Sequence, residues 1–125
     1  MNVVDSSGWL EYFAGGPNAE FFAPALNDAK DLIVPSITIL EVFRRVLQQR
    51  DEQSALVAIA AMQQGRVVDL DAETALAAGR LGVDLKLPLA DSVILATARL
   101  HGATLWTQEE DFEGHAGVRY VKKKR

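Results

Sequence analysis

The chain has 125 residues, 49% hydrophobic and 24% charged, with a net charge of −4 and no cysteine. That length suits one domain with a real core, and no apolar run approaches the ~18 residues of a membrane span. The missing cysteines exclude disulfides, thiolate metal sites and cysteine nucleophiles, and the acidic balance argues against non-specific nucleic-acid binding.

In chain order, "MNVVD" reads as a short strand ending in an acid. It lacks a basic region and a small-residue cleavage site, so no secretory leader is expected and a cytoplasmic location fits. "SSGWLEYFAGG" reads as a helix capped by Ser6 or Ser7 and stopped at Gly15-Gly16-Pro17. "NAEFFAPALNDAK" is helical, bent or interrupted at Pro24. "DLIVP" is a buried strand, and "SITILEVFRRVLQQR" a helix capped by Ser36 or Thr38, with Glu41 placed to close a capping box on Thr38. Its apolar stripe is Ile39, Phe43, Val46 and Leu47.

"EQSALVAIAAMQQG" is an Ala-rich helix closed by Gly65, "RVVDL" a strand, and "DAETALAAGRLGVDL" a helix capped by Asp71. "PLADSVILATARLHG" is a helix whose His101-Gly102 end puts a cation near the negative dipole end. "ATLWT" and "GVRYV" are the last strands, and "VKKKR" ends the chain as a basic tail.

Short apolar strands separated by helices imply parallel pairing with helices on both faces, a single three-layer α/β/α domain over residues 1–125 with 121–125 as its tail. In such sheets the ligand site lies beyond the strand carboxyl ends, at the switch point. Asp5, Glu41, Asp91, Glu109, Glu110 and Asp111 all stand at strand exits or helix starts. Each has an ordinary explanation: acids favour helix N-termini, and Glu41 can cap a helix or pair with Arg45 at i+4. Asp5 and Asp91 resist it, because each is set in apolar sequence and a buried, unpaired carboxylate costs several kcal/mol. Asp91 shares a helical face with Ile94, Leu95 and Ala98. A divalent cation offsets that cost for the whole group, and oxygen ligands without His or Cys select Mg²⁺ or Mn²⁺. Such ions polarise phosphoryl oxygens and lower the pKa of water. Ser7 and Thr107 are hydroxyls placed to support the carboxylates, or are simply a helix cap and a strand end.

"MNVVDSSGWLEYF", "PSITILEVFRRV" and "LKLPLADSVILATARLHGATLWTQEEDF" resemble the successive motifs of PIN-domain ribonucleases, and more narrowly the VapC-type toxins of bacterial toxin–antitoxin pairs. The resemblance runs from Asp5 to Phe112. It implies a PIN-like domain with a short, mostly parallel sheet and metal-dependent endonucleolytic cleavage of RNA. By resemblance, Asp5, Glu41 and Asp91 match the three principal metal-site acids. Glu109 stands where the family usually has Asp, Asp111 is the second acid of that motif, and Ser7 and Thr107 match supporting hydroxyls. Lys86 falls near a basic position ahead of the third acid.

The resemblance also implies a small antitoxin lying across the site, a homodimer, and from these a toxin–antitoxin hetero-oligomer. Phe13, Phe21, Phe22, Phe43 and Leu47 are the candidate contact residues, with core packing as the alternative. RNA binding by an acidic protein then requires the metal locally, with Arg44, Arg45, Lys86 and the tail on flanking phosphates. Two other readings stand beside this one. One is a receiver-like Mg²⁺-binding signalling domain with Asp69 or Asp71 after the third strand. The other is a PIN-like binding module without catalysis.

Overall fold

A computed structural model describes residues 1–124. Five strands form one sheet: β1 (Asn2–Val4), β2 (Leu32–Pro35), β3 (Arg66–Val68), β4 (Thr104–Thr107) and β5 (Val118–Tyr120). Their order is β3-β2-β1-β4-β5 and every pairing is parallel. β1 pairs with β2 and β4 in register, Val3 lying opposite Ile33 and Leu105. From β1 the chain first builds outward through β2 to β3, and later crosses to the other side for β4 and β5. The switch point therefore lies between β1 and β4, where all strand carboxyl ends share one edge.

Six helices connect the strands: α1 (Ser6–Phe13), α2 (Ala19–Leu26), α3 (Ser36–Gln49), α4 (Glu52–Met62), α5 (Ala72–Leu85) and α6 (Leu89–Leu100). Pro24 is accommodated inside α2. The two-residue alternation of the strands divides the core in two. Val4, Leu32, Val34 and Trp106 pack with Trp9, Phe22, Val42, Ala58 and Met62 on the α1–α4 side. Val3, Ile33 and Leu105 pack with Ile94, Leu95, Ala98 and Phe112 on the α6 side. α6 is buried at every position from Ser92 to Ala98. It runs beneath the sheet centre with α5 outside it, and a Cβ added to Gly82 of α5 would come within 2.5 Å of Ser92 Oγ.

The helix starts differ from the sequence expectation in two places, both at the carboxyl edge. α1 is capped by Asp5, not by Ser6 or Ser7. α3 begins at Ser36 directly after Pro35, with no side-chain cap. Thr38 is therefore already inside the helix, where its hydroxyl donates back to the Pro35 carbonyl at 2.7 Å. Glu41 then lies beyond the first turn, too far along to reach the helix start, and the expected capping box does not form. α5 is capped by Asp71 as expected, through Thr74 N–H at 2.8 Å. α6 ends at His101, whose Nδ1 lies 2.9 Å from the Thr97 carbonyl oxygen. Phe22 is fully buried and is core, while Leu47 is 44% exposed. Phe13, Phe21 and Phe43 are half-buried.

Candidate active site

Asp5 follows β1 and is 2% exposed. One carboxylate oxygen accepts from Gly8 N–H at 3.0 Å and from Ser7 Oγ at 2.8 Å. The other accepts from Thr107 Oγ1 at 2.6 Å. The cap brings the α1 backbone close: a Cβ at Gly8 would lie 2.5 Å from Val4 Cγ1 and 2.7 Å from the Phe22 ring, so glycine is required by space. Burial pushes the Asp5 carboxyl up to about 6, although Thr107, Ser7 and Gly8 hold it down; nearby Glu109 adds to the rise. Three donors do not fully replace lost water.

Asp5's capping role leaves Ser6 for another task. Ser6 Oγ donates to Glu41 Oε1 at 2.5 Å, fixing the α3 carboxylate beside the α1 start. Arg44 and Arg45 are exposed on α3 one turn beyond Glu41, and the alternative of a Glu41–Arg45 pair is not realised among the described residues. Lys86 ends α5 with a left-handed φ of 56° and is exposed. Arg44, Arg45 and Lys86 are thus outside the acid cluster rather than paired with it.

Asp91 stands half-buried in the first turn of α6, after Pro88. Its carboxyl is pushed up to about 7, first by burial and then by the negative charges of Asp5, Glu109, Asp111 and Glu41, in that order. Five carboxylates from four separate stretches of chain therefore share one electrostatic neighbourhood. After β4, the Glu109 N–H donates to Thr107 Oγ1 at 2.9 Å. A 3-10 turn over Glu110–Phe112 then sinks Phe112 into the core. Glu109 and Asp111 are left exposed at the rim, Glu109 acting on Asp91 more strongly than Asp111 does.

Three further polar residues of this edge were not singled out from the sequence: Ser6, Asn18 and Gln108. Asn18 and Gln108 are buried, at 3% and 4% exposure. Asn18 Nδ2 donates to Gln108 Oε1 at 3.0 Å and to the Lys122 carbonyl at 3.1 Å. Asn18 follows a Gly-Gly-Pro turn and opens the helical stretch "NAEFFAPALNDAK", where an Asn is an ordinary helix-start residue, so no local signal marked it. Ser6 was masked by its apparent role as a helix cap.

The donor set is oxygen-only and strongly negative, which fits a hard divalent cation in kind and charge. As they stand, no three acidic or histidine side chains among the described residues close on a common point that would hold an ion. This is the spacing of carboxylates that repel one another.

The PIN domain family model matches residues 3–118. The chain belongs to the PIN domain family. Among solved structures, this PIN domain is similar to a toxin–antitoxin complex from Klebsiella pneumoniae, with 27% identity and a TM-score of 0.81 over 95% of this chain and 96% of that one. It also shares its fold with VapC20 of Mycobacterium tuberculosis, described as a sarcin–ricin loop cleaving toxin. There identity is 17% and the TM-score 0.78, covering 94% and 97% of the two chains. DNA-bound VapBC from Salmonella typhimurium matches with 19% identity and a TM-score of 0.74, over 98% of each chain. No curated protein sequence matches the chain.

Topology also removes the receiver-like alternative. A phospho-acceptor after the third strand needs that strand near the sheet centre. In this PIN domain β3 is an edge strand, Asp69 is exposed, and Asp71 is occupied in capping α5. No helix of the described residues is long and apolar enough to cross a membrane.

Proposed function

We propose that this PIN domain is the toxin of a toxin–antitoxin pair and an endoribonuclease dependent on Mg²⁺ or Mn²⁺. The observation that carries the reading is Asp91, whose carboxyl is raised to about 7 by burial and by four surrounding carboxylates at the switch point. Such a group is poorly placed as a structural element and well placed as a cation ligand.

Asp5, Glu41, Asp91 and Glu109 would hold the cation, with Asp111 the further acid at the rim. When bound, the cation supplies charge neutralisation at the scissile phosphate and an acidified water. The chain's own residues supply the rest. Thr107 and Ser7 fix both oxygens of Asp5, Ser6 fixes Glu41, and α6, buried from Ser92 to Ala98, is a rigid mount for Asp91. Without neutralisation the pocket repels a phosphodiester, so substrate binding and cation binding are coupled. Arg44, Arg45 and Lys86 are the candidate contacts to flanking phosphates.

A small antitoxin protein is the expected partner, as relatives of this fold are described as toxin–antitoxin complexes. An apolar groove lined by Leu10, Phe13, Val46 and Val57 suits an amphipathic segment of such a partner. A homodimer would use other surface: Leu76, Val83 and Leu89 are 78%, 80% and 86% exposed on the α5–α6 side.

The test is cleavage of total RNA with Mg²⁺ or Mn²⁺, with an EDTA control and the D91N variant alongside. Cation-dependent cleavage leaving 5′-phosphate ends, lost in D91N, is expected. Products ending in 2′,3′-cyclic phosphate, or full activity in EDTA, would overturn it. RNA binding without cleavage would leave the chain a binding module.

A further inference from the structure

The basic carboxyl terminus is expected from sequence to be a solvated tail, yet its first residues are tied to the site edge. Val121 N–H donates to the Thr107 carbonyl at 3.0 Å, carrying the β4–β5 ladder one step further. The Lys122 carbonyl accepts from Asn18 Nδ2 at 3.1 Å. The same buried amide holds Gln108, whose Nε2 reaches back to the Ser7 carbonyl at 3.4 Å. Asn18 therefore joins the α2 start, the β4 exit and the tail in one buried polar node. Asn18's own N–H is satisfied by Glu11 at 2.7 Å. A node this well satisfied holds its members in place.

Beside it lies a cavity of about 490 Å³, bounded by Gln108, Glu109, Glu110, Asp111, Tyr120, Lys122 and Lys123. Lysines thus stand across an open space from the rim carboxylates. Among the described residues neither Lys122 nor Lys123 is within ion-pair distance of any carboxylate. Two ammonium groups without a carboxylate partner, on a segment tied at Val121 and Lys122 to the edge that carries the acids, are a charge arrangement suited to an anion.

We infer that Lys122 and Lys123, positioned by Asn18, form a subsite for the RNA backbone on the Glu109–Asp111 side of the active site. It holds phosphates one or a few nucleotides from the bond that is cut. This rests on the nuclease reading above. An RNA strand is favoured over an acidic peptide because a strand whose phosphate is held at the acid cluster has to leave that cluster past one of its rims. This rim sets Lys122 and Lys123 around one cavity with Glu109 and Asp111. Arg125 lies outside the described residues and the subsite does not depend on it.

The experiment measures binding of a short fluorescent single-stranded RNA to the D91N protein, as anisotropy against salt with Mg²⁺ fixed. K122A/K123A is compared on the same background, and the wild-type chain is assayed for cleavage in parallel. Losing two phosphate contacts makes the log–log salt slope shallower by about 1.4, at about 0.7 per contact on single strands. K122R/K123R restores it, and N18A weakens binding with both lysines still present. Asn18 is buried, so N18A is interpreted only alongside its thermal unfolding curve; the exposed lysine pair carries the decision. If wild-type cleaves RNA but K122A/K123A keeps the full slope, the subsite is overturned and the lysines are left for an acidic partner segment. If wild-type neither cleaves nor binds RNA, the nuclease reading fails and the subsite falls with it.

Discussion

Thr107 Oγ1 donates to Asp5 at 2.6 Å and accepts from the Glu109 N–H at 2.9 Å. One hydroxyl thus ties the acid after β1 to the start of the acidic turn after β4, and its position at the strand end is fixed by complete burial. Replacing it with valine keeps the shape and removes both bonds. T107V is expected to lose about 10- to 100-fold in cation affinity or activity. It should also lose about 1–3 kcal/mol of stability. Isothermal titration with Mn²⁺ and chemical denaturation read the two effects separately.

Asp91 makes the opposite trade. D91N removes a charge that burial and four carboxylates already disfavour. The variant is expected to be inactive while its metal-free melting temperature at pH 7.5 rises above that of the wild type. D5N should also be inactive and remain folded, as Asn can still accept the Gly8 N–H. A D91N protein that keeps full cation-dependent cleavage would show that the site is elsewhere.

Stability of the metal-free protein should fall as pH rises. Asp5 and Asp91 have folded-state pKa values of about 6 and about 7, above their ordinary range. The folded state therefore holds their protons longer than the unfolded chain does. Their favourable contribution is complete near pH 4 and is lost as pH climbs through 6 and 7. The exposed caps Asp51 and Asp71 are shifted downward and act in the other direction, losing their contribution only under more acidic conditions. Melting curves in EDTA between pH 4.5 and 8 check this. A flat profile would mean the carboxylates are not coupled.

Adding Mg²⁺ or Mn²⁺ should reverse that decline. At a concentration ~100 times the dissociation constant, a ligand of the folded state alone contributes about 2.7 kcal/mol. The gain should be larger at pH 7.5 than at pH 5.5, because bound cations need ionised carboxylates. Proton release on titration, largest between about pH 6 and 7, is the accompanying signature.

Gly8→Ala tests the close approach beneath Asp5. In an ordinary helix the change stabilises by up to about 1 kcal/mol. Here the methyl would sit 2.5 Å from Val4 and 2.7 Å from Phe22. Displacing either means moving a fully buried side chain, at about 1–3 kcal/mol. A net loss of stability is expected, along with reduced activity from a displaced Asp5.

Much of this was legible in the sequence. The strands, the helices and the parallel sheet follow from short apolar runs such as "DLIVP" and "ATLWT" set between helical patterns. Asp5 and Asp91 stood out because a carboxylate in apolar surroundings needs a reason. The capping residues at the site were misread, because Ser6, Ser7 and Thr38 are good caps on local rules. Asp5 is an equally good cap by those rules and takes the Gly8 N–H itself, while what the sequence does not display is Thr107, 102 positions away, holding its other oxygen. Asn18 and Gln108 carried no local signal, as their partners are 90 or more positions distant. The bond that ties the start of the tail to Asn18, 104 positions away, carried no local signal for the same reason.

The placement of β1 between β2 and β4 has a consequence for the chain as it is made. β1 emerges first, but its second neighbour, and the turn bearing Glu109 and Asp111, come more than a hundred residues later. Until then Asp5 lacks Thr107, and two of the five carboxylates of the cluster do not exist. A ribosome making this protein therefore carries a nascent chain whose site is incomplete, and the cluster can assemble only after the segment bearing Thr107, Glu109 and Asp111 has left the exit tunnel.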